Sequence, residues 1–228
     1  MLRSALFYMS EEVMNIKDLK DNIQVQFIDS FFDDIGRNNA YKMMCNFKCE
    51  RVPSLQDFIT KDYNGRIKPY IVWDTNNQII IGYFTLITTC LISEPYENSA
   101  PEHTQEKDVK KIIPCIELEH FALNDVYLKW LNSNGYDNKR IGNFIFFEYI
   151  TNIIVLLSSE INFTYLTLHA YNNDKVIEAY RRMGFETMED DAAAIVPTMT
   201  DVRALHYDYA GDCKFMFKDV ESILNNFR

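Results

Sequence analysis

Apolar residues recur at helical spacing from Ile23 to Tyr41, where Val25, Ile28, Phe31, Phe32 and Ile35 predict an amphipathic helix. A second, short helix is expected from Ser54 to Tyr63, with Ser54 as its cap, Gln56-Asp57 in its first turn and Asn64-Gly65 at its end. The period then changes. Tyr70-Ile71-Val72-Trp73 is rich in β-formers and closes at the turn cluster Asp74-Thr75-Asn76-Asn77; Ile79 to Ile87 resumes as a strand, so the two read as a hairpin. The polar stretch Glu94–Lys111 reads as a loop, and Ile112–Leu123 as the next strand, with Cys115, Glu117 and Glu119 on one face.

Asn124 to Tyr136, with Tyr127, Trp130 and Leu131, reads as a helical excursion. The short basic turn Asn138-Lys139-Arg140-Ile141-Gly142-Asn143-Phe144 then opens a long apolar helix. Phe144, Phe147, Ile150, Ile154 and Leu157 are expected on its buried face, and Glu148, Thr151, Asn152, Ser158 and Ser159 along a polar stripe. A strand from Phe163 to Ala170 follows, then caps at Asn172-Asn173-Asp174 and a helix from Val176 to Met183 that Gly184 stops. Phe185–Met188 and Lys214–Phe217 read as two last strands joined by an acidic connection (189–213), with Asp219–Phe227 as a short terminal helix. No repeat or composition shift forces a boundary. The 228 residues therefore read as one α/β domain with its core at about 23–218 and residues 1–20 as an extension.

With 47% hydrophobic and 14% aromatic residues the chain is expected to pack a globular core. A net charge of -10 disfavours broad binding to nucleic acid or to an anionic membrane. The five cysteines lack paired metal spacing, which reads as reduced thiols in a cytoplasmic protein without a metal. The apolar run Ile141–Leu157 holds Glu148 and falls short of a bilayer span. The turn at 138–144 aims free backbone N–H groups and a positive dipole end at one point, an arrangement that suits a phosphate. It lacks G-x-G-x-x-G and does not follow its strand directly, which argues against a dinucleotide site. Cys115 invites a covalent route but reads more simply as core filling, and His120 and His169 read as structural.

Three segments together carry a resemblance: Phe121-Ala122-Leu123, Lys139-Arg140-Ile141-Gly142, and Asn173-Asp174-Lys175-Val176-Ile177-Glu178-Ala179-Tyr180-Arg181-Arg182-Met183-Gly184-Phe185. In this order the chain resembles the GNAT family of acetyl-CoA-dependent N-acetyltransferases. The lead-in Val52-Pro53-Ser54-Leu55-Gln56-Asp57-Phe58, with Ile81–Leu86 and Ile113-Pro114, resembles its toxin-type branch. The implied fold is a mixed, mostly antiparallel sheet flanked by helices around a β-turn-α-β cofactor core. The family's turn has a glycine where Arg140 stands, and Gln or Arg where Asp137 stands; only Gly142 is kept.

The resemblance implies acetyl-CoA as co-substrate, its pyrophosphate on the amides of Lys139, Arg140, Ile141, Gly142, Asn143 and Phe144. Its thioester carbonyl would be polarised by an amide at Phe121, Ala122 or Leu123, and its pantetheine arm met by Asn173. It further implies Glu117 or Glu119 as the base for a primary amine and Tyr180 as the acid for the departing thiolate, by direct attack in a ternary complex. The acidic connection would draw a cationic small-molecule or peptide amine. A basic band along Lys129, Lys139, Arg140, Lys175, Arg181 and Arg182 keeps aminoacyl-tRNA open as an alternative acceptor. A non-catalytic acyl-CoA-binding module and a homodimer also stay open.

Overall fold

The structure, a computed structural model, describes residues 15–59, 67–93, 111–187, 195–197 and 213–227. Contacts divide the chain into two compact units: Met1–Tyr83 with Ala122–Phe144, and Phe84–Phe121 with Ile145–Arg228. The predicted loop at 94–110 and most of the acidic connection lie outside the described residues, as do residues 60–66 of the predicted second helix and its end.

In the first unit the predicted helix at 23–41 is corrected. A 3-10 turn (Ile16–Asn22) leads into a strand, β1 (Ile23–Phe27), which pairs antiparallel with β2 (Tyr70–Asp74) from Ile23 opposite Asp74 to Phe27 opposite Tyr70. The helix begins only at α1 (Ile28–Ile35), and Gly36, at φ 81°, separates it from α2 (Arg37–Cys45). That left-handed backbone is open to glycine at little cost, so one amphipathic pattern becomes two helices. The short α3 (Pro53–Asp57) starts with proline at its first turn rather than with a Ser54 cap. Phe31 meets Trp73 edge-on at 5.6 Å, and Phe47 and Phe58 pack on Tyr83, whose hydroxyl donates to the Leu55 carbonyl.

The hairpin is as read, β2 turning through Asp74–Asn77 into β3 (Ile79–Ser93), followed by β4 (Lys111–Leu123). Gly82 is required on β3, because a Cβ there would lie 2.5 Å from the Ala122 carbonyl oxygen on β4. Asn124 starts α4 (Asp125–Ser133), the expected helical excursion: its Oδ1 accepts from Val126 N and Lys48 N, and its Nδ2 donates to Ile80 O. The basic turn (Asn138–Arg140) and α5 (Ile141–Ile145) complete this unit.

The second unit continues the apolar helix through a π-helical turn (Phe146–Ile150) into α6 (Thr151–Glu160). The π turn changes which residues face inward, because its period differs from 3.6. Phe146 and Thr151 are buried, whereas Phe147, expected inside, is 44% exposed. Continuous from Asn138 to Glu160, the helix is 23 residues long, long and apolar enough by length and composition to cross a membrane. The expected apolar run 141–157 lies within this longer helix. The buried Ile150 and Ile154 are the inward positions that a core helix presents.

β5 (Tyr165–Tyr171) runs parallel to β4, with Cys115, Ile116 and Glu117 opposite Tyr165, Leu166 and Thr167. α7 (Asp174–Arg182), β6 (Glu186–Thr187), β7 (Ile195–Pro197), β8 (Cys213–Asp219) and α8 (Val220–Leu224) follow. β8 pairs antiparallel with β5 along its whole length and with β6, while β7, which the sequence did not suggest, pairs with the outer end of β3. The strand order is β1-β2-β3-β4-β5-β8-β6. This is the expected mixed, mostly antiparallel sheet, in which β4 and β5 form a parallel pair.

Candidate functional site

In the first unit the basic turn is capped from within. The Asp137 carboxylate accepts the Lys139 amide at 3.1 Å, and its other oxygen lies 3.5 Å from Arg140 Nε. The Ile141 amide bonds to the Asn138 carbonyl. The chain's own carboxylate thus occupies part of the N-terminal positive end that the sequence assigns to a phosphate, and the Arg140 guanidinium, with its side chain 83% exposed, leans toward that carboxylate. Ile141 and Phe144 face the interior, while Gly142 and Asn143 are half-buried. Ala122 is buried against Gly82, and Leu123 is half-buried at the end of β4.

In the second unit, pairing of β4 with β5 stops at Glu117 opposite Thr167. Glu117 Oε1 lies 3.1 Å from His169 Nδ1. Glu119 is turned inward: its side chain is 8% exposed, with Oε2 at 3.4 Å from His120 Nδ1 and 3.5 Å from the Thr85 hydroxyl. Thr85 in turn lies 2.9 Å from His120 Nδ1 and accepts the His120 amide. Both glutamates therefore have histidine partners, which the sequence reading set aside as structural. His169 falls 52 residues from Glu117; only the β4–β5 register could have revealed the pair. Burial pushes the Cys115 thiol up to about 11, so it stays protonated near neutrality and fills the core rather than acting as a nucleophile.

α7 explains its own sequence. Asn173 caps it, its side chain accepting the Lys175 amide at 3.0 Å. At the other end the Phe185 amide donates to Tyr180 O and the Gly184 amide to Arg181 O, with Gly184 at φ 86°. Those two bonds form a Schellman motif, which characteristically brings the residue after the glycine against the one five positions earlier. Here that contact is aromatic, Phe185 meeting the Tyr180 ring edge-on at 5.8 Å and resting on Phe146 at 5.5 Å. The Tyr-x-x-x-Gly-Phe spacing thus fixes the orientation of the Tyr180 ring. Among the described residues nothing hydrogen-bonds its hydroxyl, and burial pushes the phenol up to about 12. Among the described residues no group of three or more His, Cys, Asp or Glu could hold a metal ion.

No family model matches the chain, and no curated protein matches it in sequence. Solved structures do match in fold. A Tyr-to-Phe mutant of the toxin AtaT superposes with a TM-score of 0.60 at 16% identity, over 91% of this chain and 95% of that one. The same mutant bound to acetyl-CoA and the C-terminus of the antitoxin AtaR gives 0.56 at 16%, over 91% and 99%. AtaT complexed with acetyl-methionyl-tRNAfMet gives 0.52 at 19%, over 90% and 99%. The chain shares the GNAT-like fold of these toxins.

Proposed function

We propose that the chain is an acetyl-CoA-dependent N-acetyltransferase, one domain working in the cytoplasm, that moves an acetyl group to a primary amine by direct attack in a ternary complex. The observation that carries this reading is the fold, shared over nine-tenths of the chain with a toxin solved with acetyl-CoA. Residue-level support comes from the parallel β4–β5 pair, whose register runs to Glu117 opposite Thr167, and from the ring of Tyr180 held by its helix end. In the proposed roles, amides at Phe121–Leu123 polarise the thioester carbonyl, the turn from Lys139 to Phe144 meets the pyrophosphate, Asn173 meets the pantetheine arm, and Tyr180 protonates the leaving thiolate. Glu117 or Glu119 is the candidate base for the acceptor amine.

Calorimetry with acetyl-CoA, followed by a panel of small-molecule and peptide amines monitored for free thiol, tests the proposal. Saturable binding and thiol release with at least one amine are expected. Binding without turnover on any amine would leave a non-catalytic acyl-CoA module instead. A second reading, acetylation of the α-amine of an aminoacyl-tRNA, is favoured by the tRNA complex of AtaT and opposed by the net charge of -10. Including charged tRNA in the panel separates the two.

The self-capped turn makes its own prediction. Asp137→Ala removes a negative charge beside the proposed pyrophosphate site and frees the Lys139 amide and Arg140. Acetyl-CoA should bind tighter by about three- to tenfold, while loss of the cap costs about 1 kcal/mol of stability. Weaker binding by calorimetry would mean that the carboxylate organises the turn for phosphate rather than competing with it.

A further inference from the structure

Two glutamates stand as candidates for the base, and the geometry separates them. Glu119 is drawn into the interior by Thr85 and His120, its side chain 8% exposed. The carboxylate of Glu117, 18% exposed, is held by the ring of His169, itself 29% exposed. His169 sits on β5 one alternation beyond Thr167, which is the last residue paired to β4. It therefore lies just past the end of that pairing. Its ring is buttressed on the other side by Phe215, opposite it on β8, edge-on at 5.4 Å.

An ionised carboxylate only accepts hydrogen bonds, so Nδ1 carries the ring proton toward Glu117 and the lone pair of the neutral ring is left on Nε2. Among the described residues no other hydrogen bond engages that ring. An imidazole held by a carboxylate through one nitrogen, with the other left to accept a proton, is the arrangement of a general base with its orienting group.

We propose that His169 is the base that deprotonates the acceptor amine, and that Glu117 is a positioning residue that fixes its ring and tautomer. This rests on the acetyltransferase reading. In the reaction the acceptor R–NH3+ gives one proton to His169 Nε2. The freed amine lone pair forms the N–C bond to the thioester carbonyl, and the C–S bond breaks as the tetrahedral intermediate collapses. Tyr180 gives its proton to the departing sulfur as that bond breaks and recovers one from the nitrogen of the new amide. His169 returns its proton to solvent, so that one proton is released per acetyl transferred.

The test uses the full chain and the best amine from the panel. His169→Gln keeps a polar side chain of similar reach that cannot take the proton; it should lower kcat by about 100-fold or more while leaving acetyl-CoA affinity within about twofold. Glu117→Gln can still accept from Nδ1 and should lose only about tenfold in kcat, with KM nearly unchanged, and Glu117→Ala should lose more. A readout independent of turnover is the nitrogen NMR spectrum of labelled histidine in the wild type at mildly alkaline pH. The Nδ1–H tautomer is expected for His169, and its loss in Glu117→Ala. Full kcat in His169→Gln, or a wild-type ring protonated on Nε2, overturns the base assignment and leaves the acetyltransferase reading standing. A wild type that binds acetyl-CoA but acetylates no amine overturns that reading, and the base role with it.

Discussion

Tyr180→Phe is expected to lower turnover by about 10²- to 10⁴-fold, the range for loss of a general acid, while calorimetric affinity for acetyl-CoA and the melting temperature stay close to wild type. The substitution is selective because of how the ring is held. The Schellman bonds use the backbone of Tyr180, and the edge-on contact with Phe185 uses its ring, so phenylalanine preserves both and removes only the hydroxyl. The phenol titrates at about 12, above the free tyrosine value, because burial disfavours the phenolate. It therefore stays protonated through the neutral and mildly alkaline range, and a pH–rate profile should show no alkaline loss from Tyr180 until pH nears that value. The same elevation constrains the chemistry. A thiol of about 8.5 is the stronger acid, so a fully formed thiolate would not draw the proton from Tyr180; transfer has to accompany C–S cleavage. Unchanged turnover at saturating amine would remove Tyr180 from the acid role and leave its ring as a cap contact alone.

What the sequence made legible follows the range of the physics involved. The 70–87 hairpin, α4, and the Asn173 and Gly184 ends of α7 are set by neighbours within a few residues: turn clusters, caps and a positive φ. They were readable. β1 was not, although Ile23-Gln24-Val25-Gln26-Phe27 alternates, because the apolar residues after it continue a helical period and only pairing with β2 decides between them. Phe147 was misplaced because a π turn leaves no mark in composition. The candidate site divides the same way. The spacing around Tyr180 is local and was visible. The partners of Glu117 and Glu119 lie across strands, and Asp137 was noted as a departure from a pattern before its bond to the Lys139 amide gave the departure a meaning.

The largest loss of stability in the first unit is expected at Asp74, in the turn of the hairpin. Its carboxylate is fully buried and accepts four hydrogen bonds: from the amides of Asn76 and Asn77 at 3.0 and 2.9 Å, from Asn77 Nδ2 at 2.9 Å, and from the Tyr127 hydroxyl at 3.0 Å. The first three hold the turn. The fourth ties the hairpin to α4, and Tyr127, also fully buried, is held well above the ordinary phenol range by burial and then by the neighbouring carboxylate. Asp74→Ala removes all four bonds and strands the Tyr127 hydroxyl in the interior, at an expected cost of about 3–5 kcal/mol by denaturant unfolding. Asp74→Asn retains an acceptor for the two turn amides and should lose roughly half as much. Adding Tyr127→Phe separates the two contributions, since it deletes the orphaned hydroxyl. In the Asp74→Ala background it should restore about 1 kcal/mol, whereas in the wild type it should cost about as much. If Tyr127→Phe costs the same in both backgrounds, the pair is uncoupled, and the buried carboxylate serves the turn alone.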